Sequence, residues 1–132
     1  MNASKGTQLL LVTVREGEVI NKHVTVESTY IDTESWNCDT VIDLGNDGIF
    51  ICGDGAKTDD PHTYVNTPIK GVIEFLSDDE KQCLKTVDDY LHKKVINLKT
   101  QIEKLKENIN NLDKVRNDIH TLRIMKNERK EN

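Results

Sequence analysis

The sequence predicts an α+β protein, with a small antiparallel β domain at residues 1–76 and one long amphipathic helix at residues 77–132. Two observations support this division. Short β-branched segments alternate with turn-forming residues in the first part of the chain, which is typical of hairpins. Residues 77–132 contain no Pro or Gly, and leucines recur there every seven residues. We therefore expect the helix to form an oligomeric coiled coil.

The β domain is predicted from two hairpin patterns. Residues 8–29 and residues 40–52 each contain two strand-like segments around a turn. The second turn, at residues 45–48, consists of Gly, Asn and Asp, which tolerate the positive φ of tight hairpins. Short strands near residues 63–65 and 71–76 would complete a meander of roughly five or six strands.

The start of the helix is predicted at Ser77, because Ser77 and Glu80 have the spacing of a capping box. Asp78 and Asp79 would add negative charge near the positive end of the helix dipole. Three Asn residues within residues 108–111 are poor helix formers, so a break there remains an alternative.

The apolar residues of the helix define a heptad register. Position d is held by Leu84, Leu91, Leu98, Leu105 and Leu112, and position a by Val95, Ile102 and Ile109. β-Branched residues at a and Leu at d favour a parallel dimer, although a higher oligomer or an antiparallel partner stays open. The alternative is a long helix packed against the β domain of its own chain. We expect self-association through these eight residues.

Composition supports assembly and argues against several classes of protein. Hydrophobic residues make up 36% of the chain and aromatic residues 5%, which is lean for a self-sufficient core. No segment has the length of a signal-peptide apolar region or of a membrane span. The three cysteines lack close spacing, which favours a reducing, cytoplasmic location over a disulfide framework. We predict no cofactor and no metal.

Charge is unevenly distributed along the chain. Residues 1–80 contain 5 Lys or Arg and 15 Asp or Glu, a balance of -10, whereas residues 81–132 contain 13 and 8, a balance of +5. These two values sum to the net charge of -5. An acidic β domain makes nucleic acid an unlikely partner for most of the surface.

The Gly-rich segment at residues 53–58 is the first candidate for a ligand site. It combines backbone N–H groups, a lysine and a hydroxyl, which together suit a small anionic ligand such as a nucleotide. Trp36 and Tyr64 could stack on a base beside this segment. For Trp36, the alternative role is packing on the β core. The candidate ligand-binding residues are Trp36, Gly53, Gly55, Lys57, Thr58 and Tyr64.

Catalytic patterns are weaker. Cys38 or Cys52 with His62 would supply two parts of a nucleophilic site, but neither lies in a recognisable motif. A metal-dependent hydrolase could use carboxylates and the imidazole of the same loop, namely Asp54, Asp59, Asp60 and His62. We predict a protein that is not an enzyme, with the hydrolase as the more distant alternative.

In outline, a β domain followed by a C-terminal helical part resembles the ε subunit of rotary ATP synthases. It is also similar to small phage proteins that sequester cyclic-nucleotide or ADP-ribose-type immune signals. The second resemblance implies an oligomeric β core joined by C-terminal helices, which retains a nucleotide without turning it over. The leading hypothesis is a non-enzymatic binding and assembly protein, and the nucleotide sponge is the alternative.

Overall fold

A computed structural model describes residues 1–34 and 36–131, with side chains up to Arg129 at the C-terminal end. The described residues form seven strands, two short 3-10 helices (Gly45–Asp47 and Asp54–Ala56) and one α-helix. The strands are β1 (Gln8–Arg15), β2 (Glu18–Thr25), β3 (Ser28–Ile31), β4 (Thr40–Asp43), β5 (Ile49–Cys52), β6 (Thr63–Asn66) and β7 (Val72–Ser77), and the helix is α1 (Glu80–Glu131). The α+β class is confirmed. The chain divides into two compact units, Met1–Tyr90 and Leu91–Asn132.

The strands form two antiparallel sheets, with the orders β2-β1-β7-β6 and β3-β4-β5. Both predicted hairpins are confirmed, as β1 with β2 and β4 with β5. The predicted meander is wrong, because β1 pairs with β7, from the far end of the domain. β3 was not predicted as a separate strand. The chain changes sheets between adjacent residues, since the Val26 N–H donates to Thr7 and the Glu27 N–H donates to Asp43.

The main core lies between the two sheets. Alternate residues of β1 and β2 turn toward β4 and β5, as period-two side-chain alternation requires. The core cluster contains Leu9, Leu11, Val24, Val26, Ile42, Leu44, Phe50 and Leu76, all buried. Four of the eight come from the first hairpin and its continuation.

The first turns of α1 cover the opposite face of the four-stranded sheet. Val12 and Phe75 are cross-strand partners on that face, and Phe75 is fully buried. Its ring meets the ring of Tyr90 edge to face, with 5.3 Å between centroids. Cys83 and Val87 are buried on the same helix face, at the spacing of successive turns. Residues 80–90 therefore belong to the compact unit of the β domain.

The N-terminus of α1 differs from the prediction. Ser77 is the last residue of β7, and its hydroxyl exchanges hydrogen bonds with the backbone of Asp79. The Asp79 carboxylate accepts a hydrogen bond from the Gln82 N–H at 3.1 Å, so Asp79 caps the helix. The capping box at Ser77 is wrong, because Ser77 ends β7 and lies two residues before Asp79, which immediately precedes α1.

Beyond the β unit, residues 91–131 form continuous α-helix, and no break occurs at residues 108–111. Within the described part of the chain, no helix combines the length and the apolar character needed to cross a lipid bilayer.

Candidate functional site

An antiparallel bridge between Lys57 and Tyr64 shapes the loop that was predicted to bind a ligand. The bridge brings two residues seven positions apart into contact range and closes the intervening segment into a compact turn. Gly53 and Ala56 begin this loop as a 3-10 turn, in which the Ala56 N–H donates to the Gly53 carbonyl at 3.0 Å. The predicted loop is therefore ordered by backbone contacts at both ends.

Side-chain hydrogen bonds also stabilise the loop. The Thr58 hydroxyl contacts the carbonyls of Asp60 and Thr63 at 2.9 and 2.8 Å. The Asp60 carboxylate accepts hydrogen bonds from the Thr63 hydroxyl at 2.7 Å, the Thr86 hydroxyl at 3.1 Å and the His62 N–H at 2.9 Å. Burial would raise the pKa of Asp60, but these hydrogen bonds together hold it below its ordinary value. The network fastens the loop to the first turns of α1.

A cleft of about 320 Å³ opens beside this loop. It is lined by Met1, Ala3, Asn37, Cys38, Asp39, Thr40, Ile42, Cys52, Gly53, Asp54, Lys57 and Tyr64. A second cleft of about 380 Å³ lies across Gly53 and Asp54 and reaches Tyr90. The two clefts share Asn37, Asp39, Gly53 and Asp54, so the Gly53 segment forms part of the partition between them.

The structure brings together three of the six predicted ligand residues, because Gly53, Lys57 and Tyr64 line the first cleft. Gly55 lines the second cleft. Thr58 lines a third, of about 290 Å³, that also includes Lys57 and Tyr64. The Trp36 side chain is fully exposed and lines none of these three clefts, so it neither packs on the β core nor joins the loop.

Charge in the first cleft is mixed rather than positive. The Lys57 ammonium lies 3.9 Å from the Asp54 carboxylate, and both side chains are highly exposed. Asp39 adds a second carboxylate, whose Oδ1 lies only 2.8 Å from the position that a Cβ on Gly53 would occupy. The close approach explains the glycine, since a larger residue would push against Asp39. Two carboxylates beside one lysine weaken the attraction for a strongly anionic ligand.

Two residues that line the cleft were not predicted as part of it. Cys38 is exposed and has a positive φ of 48°. Cys52 is half-buried, and burial raises the pKa of its thiol to about 11, which keeps it protonated and poorly nucleophilic at neutral pH. Pairing of Thr40 with Cys52 brings the segment before β4 to this cleft. The sequence predicted this hairpin but gave no signal that the residues before β4 line a cleft with the residues after β5.

The residues of the predicted hydrolase alternative have other contacts. The Asp60 carboxylate is engaged in the loop network described above, and His62 Nδ1 lies 2.9 Å from Asp78. Asp54 is fully exposed beside Lys57. Among the residues that the structure describes, no group of three or more His, Cys, Asp or Glu side chains is arranged to hold a metal ion.

The second candidate surface is the apolar stripe of α1, here called the heptad seam and defined as the eight predicted a and d residues. Leu91 is partly buried, and the other seven are 47–65% exposed: Leu84, Val95, Leu98, Ile102, Leu105, Ile109 and Leu112. The apolar stripe continues beyond it through Val115, Ile119 and Leu122, which are also about half-exposed. Among the described residues of the Leu91–Asn132 unit, none covers the seam beyond Leu91.

No known family, curated protein or solved structure matches the chain.

Proposed function

We propose that the protein is a non-enzymatic assembly protein, which presents its β domain on a coiled coil formed by copies of its own C-terminal helix. The exposed heptad seam is the observation that carries this proposal. In residues 91–122, apolar residues recur along one stripe while Lys, Asn, Glu and Asp occupy most other positions. Such a stripe is typical of a helix that packs against another helix.

The energetics favour association over an isolated helix. Isolated helices gain little stability in water, and most helical stability in proteins comes from packing an apolar face. Complete burial of an exposed Leu or Ile contributes about 1.5–3 kcal/mol, so covering the half-exposed seam is worth on the order of 1 kcal/mol per residue. Summed over seven exposed residues, this exceeds the tenths of a kcal/mol expected from surface charge pairs.

The parallel dimer is the arrangement that the seam composition supports. Val95, Ile102 and Ile109 place β-branched side chains at a, and leucines occupy every d position from Leu84 to Leu112. No polar residue occurs at a or d between Leu91 and Leu112. Association would also raise the avidity of a weak site on the β domain.

Native mass spectrometry at micromolar concentration tests the proposal with two matched variants. Ile102→Glu places a charge in the middle of the seam and should convert the assembly to monomers. Thr100→Glu adds the same charge at an exposed position outside the seam and should leave the assembly intact. A wild-type protein that stays monomeric would refute the proposal, as would an assembly unaffected by Ile102→Glu.

A second candidate, a sponge that sequesters a cyclic-nucleotide or ADP-ribose-type signal, is supported by one observation. Gly53, Lys57 and Tyr64 line the same cleft, which supplies backbone, cationic and aromatic groups to one ligand. The native mass spectrum of freshly purified protein should then show a retained small mass. Lys57→Glu should remove it and Lys70→Glu, at another exposed lysine, should not. Retention that survives Lys57→Glu would exclude this cleft.

A further inference from the structure

The residues that flank the heptad seam carry charge of one sign. Positions e and g lie on either side of the a and d residues and meet the corresponding positions of a partner helix. Between Leu91 and Leu112 these positions are His92, Lys94, Lys99, Gln101, Lys106 and Asn108, all exposed. Three of the six are lysines and none is acidic. The two acidic residues of this segment, Glu103 and Glu107, fall at b and f, away from the seam.

A second copy of the chain cannot neutralise these lysines. In a parallel pair, the g residue of one helix lies beside the e residue of the following heptad in the other, so Lys94 meets Lys99 of the second copy. In an antiparallel pair centred on Ile102 and Leu105, Lys99 meets Lys106 of the second copy. Both arrangements juxtapose like charges, which are destabilising at this spacing.

Contacts within the helix do not remove this effect. Lys106 lies 3.5 Å from Glu103, but their side chains are 65% and 75% exposed, and such exposed pairs are weak. After Leu112 the apolar residues Val115, Ile119 and Leu122 follow at steps of three, four and three, which shifts the heptad register. In the shifted register Asp118 and Arg123 occupy g and the following e, where copies of the chain attract each other. The lysine repulsion is therefore confined to the central heptads.

We propose that the heptad seam pairs preferentially with a helix that has the same apolar spacing and acidic residues at its flanking positions, in place of a second copy of this chain. Charge complementarity carries this inference: glutamates at e and g of the partner would lie beside Lys94 and Lys99 and replace each repulsive contact by an attractive one. The inference rests on the proposed coiled coil and adds the chemistry of its partner. Self-association is then weaker than pairing with the acidic helix, and the acidic helix displaces the second copy of this chain.

A charge-reversed copy of the protein provides the probe. Full-length Lys94→Glu/Lys99→Glu/Lys106→Glu carries the acidic flanks and an unchanged seam, and it is mixed with wild type after one chain is given a mass tag. The matched control, Lys93→Glu/Lys104→Glu/Lys114→Glu, makes the same change in charge at positions f and c, outside the interface. Native mass spectrometry then counts mixed and unmixed assemblies.

The expected result is an excess of mixed assemblies over the statistical distribution of at least about tenfold, because several lysine–glutamate contacts form at once. This excess should shrink in 1 M salt, where the screening length is about 3 Å. The control should mix statistically. Statistical mixing of the flank variant would overturn the inference but leave the self-associating coiled coil intact. Monomers in every sample would overturn both.

Discussion

The Tyr90 ring packs edge to face on the buried Phe75 ring, with 5.3 Å between centroids and 83° between planes. This contact comes at the last residue of the β unit, immediately before Leu91 of the heptad seam. Cys83, Val87 and Tyr90 cover the sheet of the same chain, whereas the seam residues after Leu91 are about half-exposed.

Removal of the Tyr90 ring should loosen the first turns of α1 from the sheet. We expect Tyr90→Ala to lower the free energy of unfolding of the β unit by about 1–3 kcal/mol, through lost apolar burial and the lost ring pair. Tyr90→Phe keeps the ring and should resemble wild type. Urea denaturation followed by near-ultraviolet circular dichroism measures both. Equal midpoints for the two variants would show that the ring contact contributes nothing.

Asp60 should make stability depend on acid pH. Its pKa is lower in the folded protein than in the unfolded chain, so ionised Asp60 stabilises the fold above about pH 4. This contribution disappears as the pH falls through the folded pKa. Asp60→Asn should lower the free energy of unfolding by about 1–2 kcal/mol at pH 7. Below pH 4, the free energy of unfolding of this variant should fall less steeply with pH than that of wild type.

The control for this prediction is Asp89→Asn, which removes a carboxylate at an exposed position of the same unit. Thermal unfolding at a series of pH values compares the three proteins. Parallel pH profiles for wild type and Asp60→Asn would contradict a stabilising carboxylate in the loop network.

Gly53 and Gly55 form a matched pair that tests the partition between the two clefts. A Cβ at Gly53 would lie 2.8 Å from Asp39 Oδ1 and 3.2 Å from its Cγ, whereas a Cβ at Gly55 meets no atom within 4 Å. We expect Gly53→Ala to cost about 1 kcal/mol, because Asp39 must move. Gly55→Ala should be neutral or stabilising by about 0.4–1 kcal/mol, through a smaller entropy of the unfolded chain. Thermal melts that fail to separate the two variants would contradict the close approach of Asp39.

Helix content should depend on protein concentration. Because the seam beyond Leu91 has no cover within its own chain, the helix there needs a partner for most of its stability. The circular dichroism signal at 222 nm should weaken on dilution from tens of micromolar to nanomolar. Ile102→Glu should show the weak signal at all concentrations. A wild-type signal unchanged over this range would mean that residues 91–131 are helical without a partner.

Local chemistry determined much of this fold in advance. The Gly45–Gly48 turn needs positive φ at both glycines, at 66° and 90°, and this requirement made the β4–β5 hairpin predictable from adjacent residues. The long helix was equally predictable, because no Pro or Gly follows Gly71. These features depend on neighbours in sequence, where turn and helix propensities act directly.

The candidate cleft could be predicted only in part. Gly53 and Lys57 were identified from one short segment, and the bridge to Tyr64 confirmed that these residues come together. Asp39 was missed, since the predicted β4–β5 hairpin did not indicate that the residue before β4 lies beside Gly53, the residue after β5. Trp36 does not pack on the β core, and its polar surroundings in the sequence carry no information on whether the chain turns it inward.

The sequence by itself determined the hairpins, the helix and the heptad register, each of which is fixed by residues within a few positions of one another. Only the tertiary structure decided that β1 pairs with β7, that β3 joins the second sheet and that Asp79 rather than Ser77 caps α1. The cap illustrates the physical reason. Both residues are good caps in isolation, but the pairing of β7 with β1 and β6 holds Ser77 in the strand and leaves Asp79 to begin the helix. Long-range pairing thus resolves choices between locally equivalent alternatives.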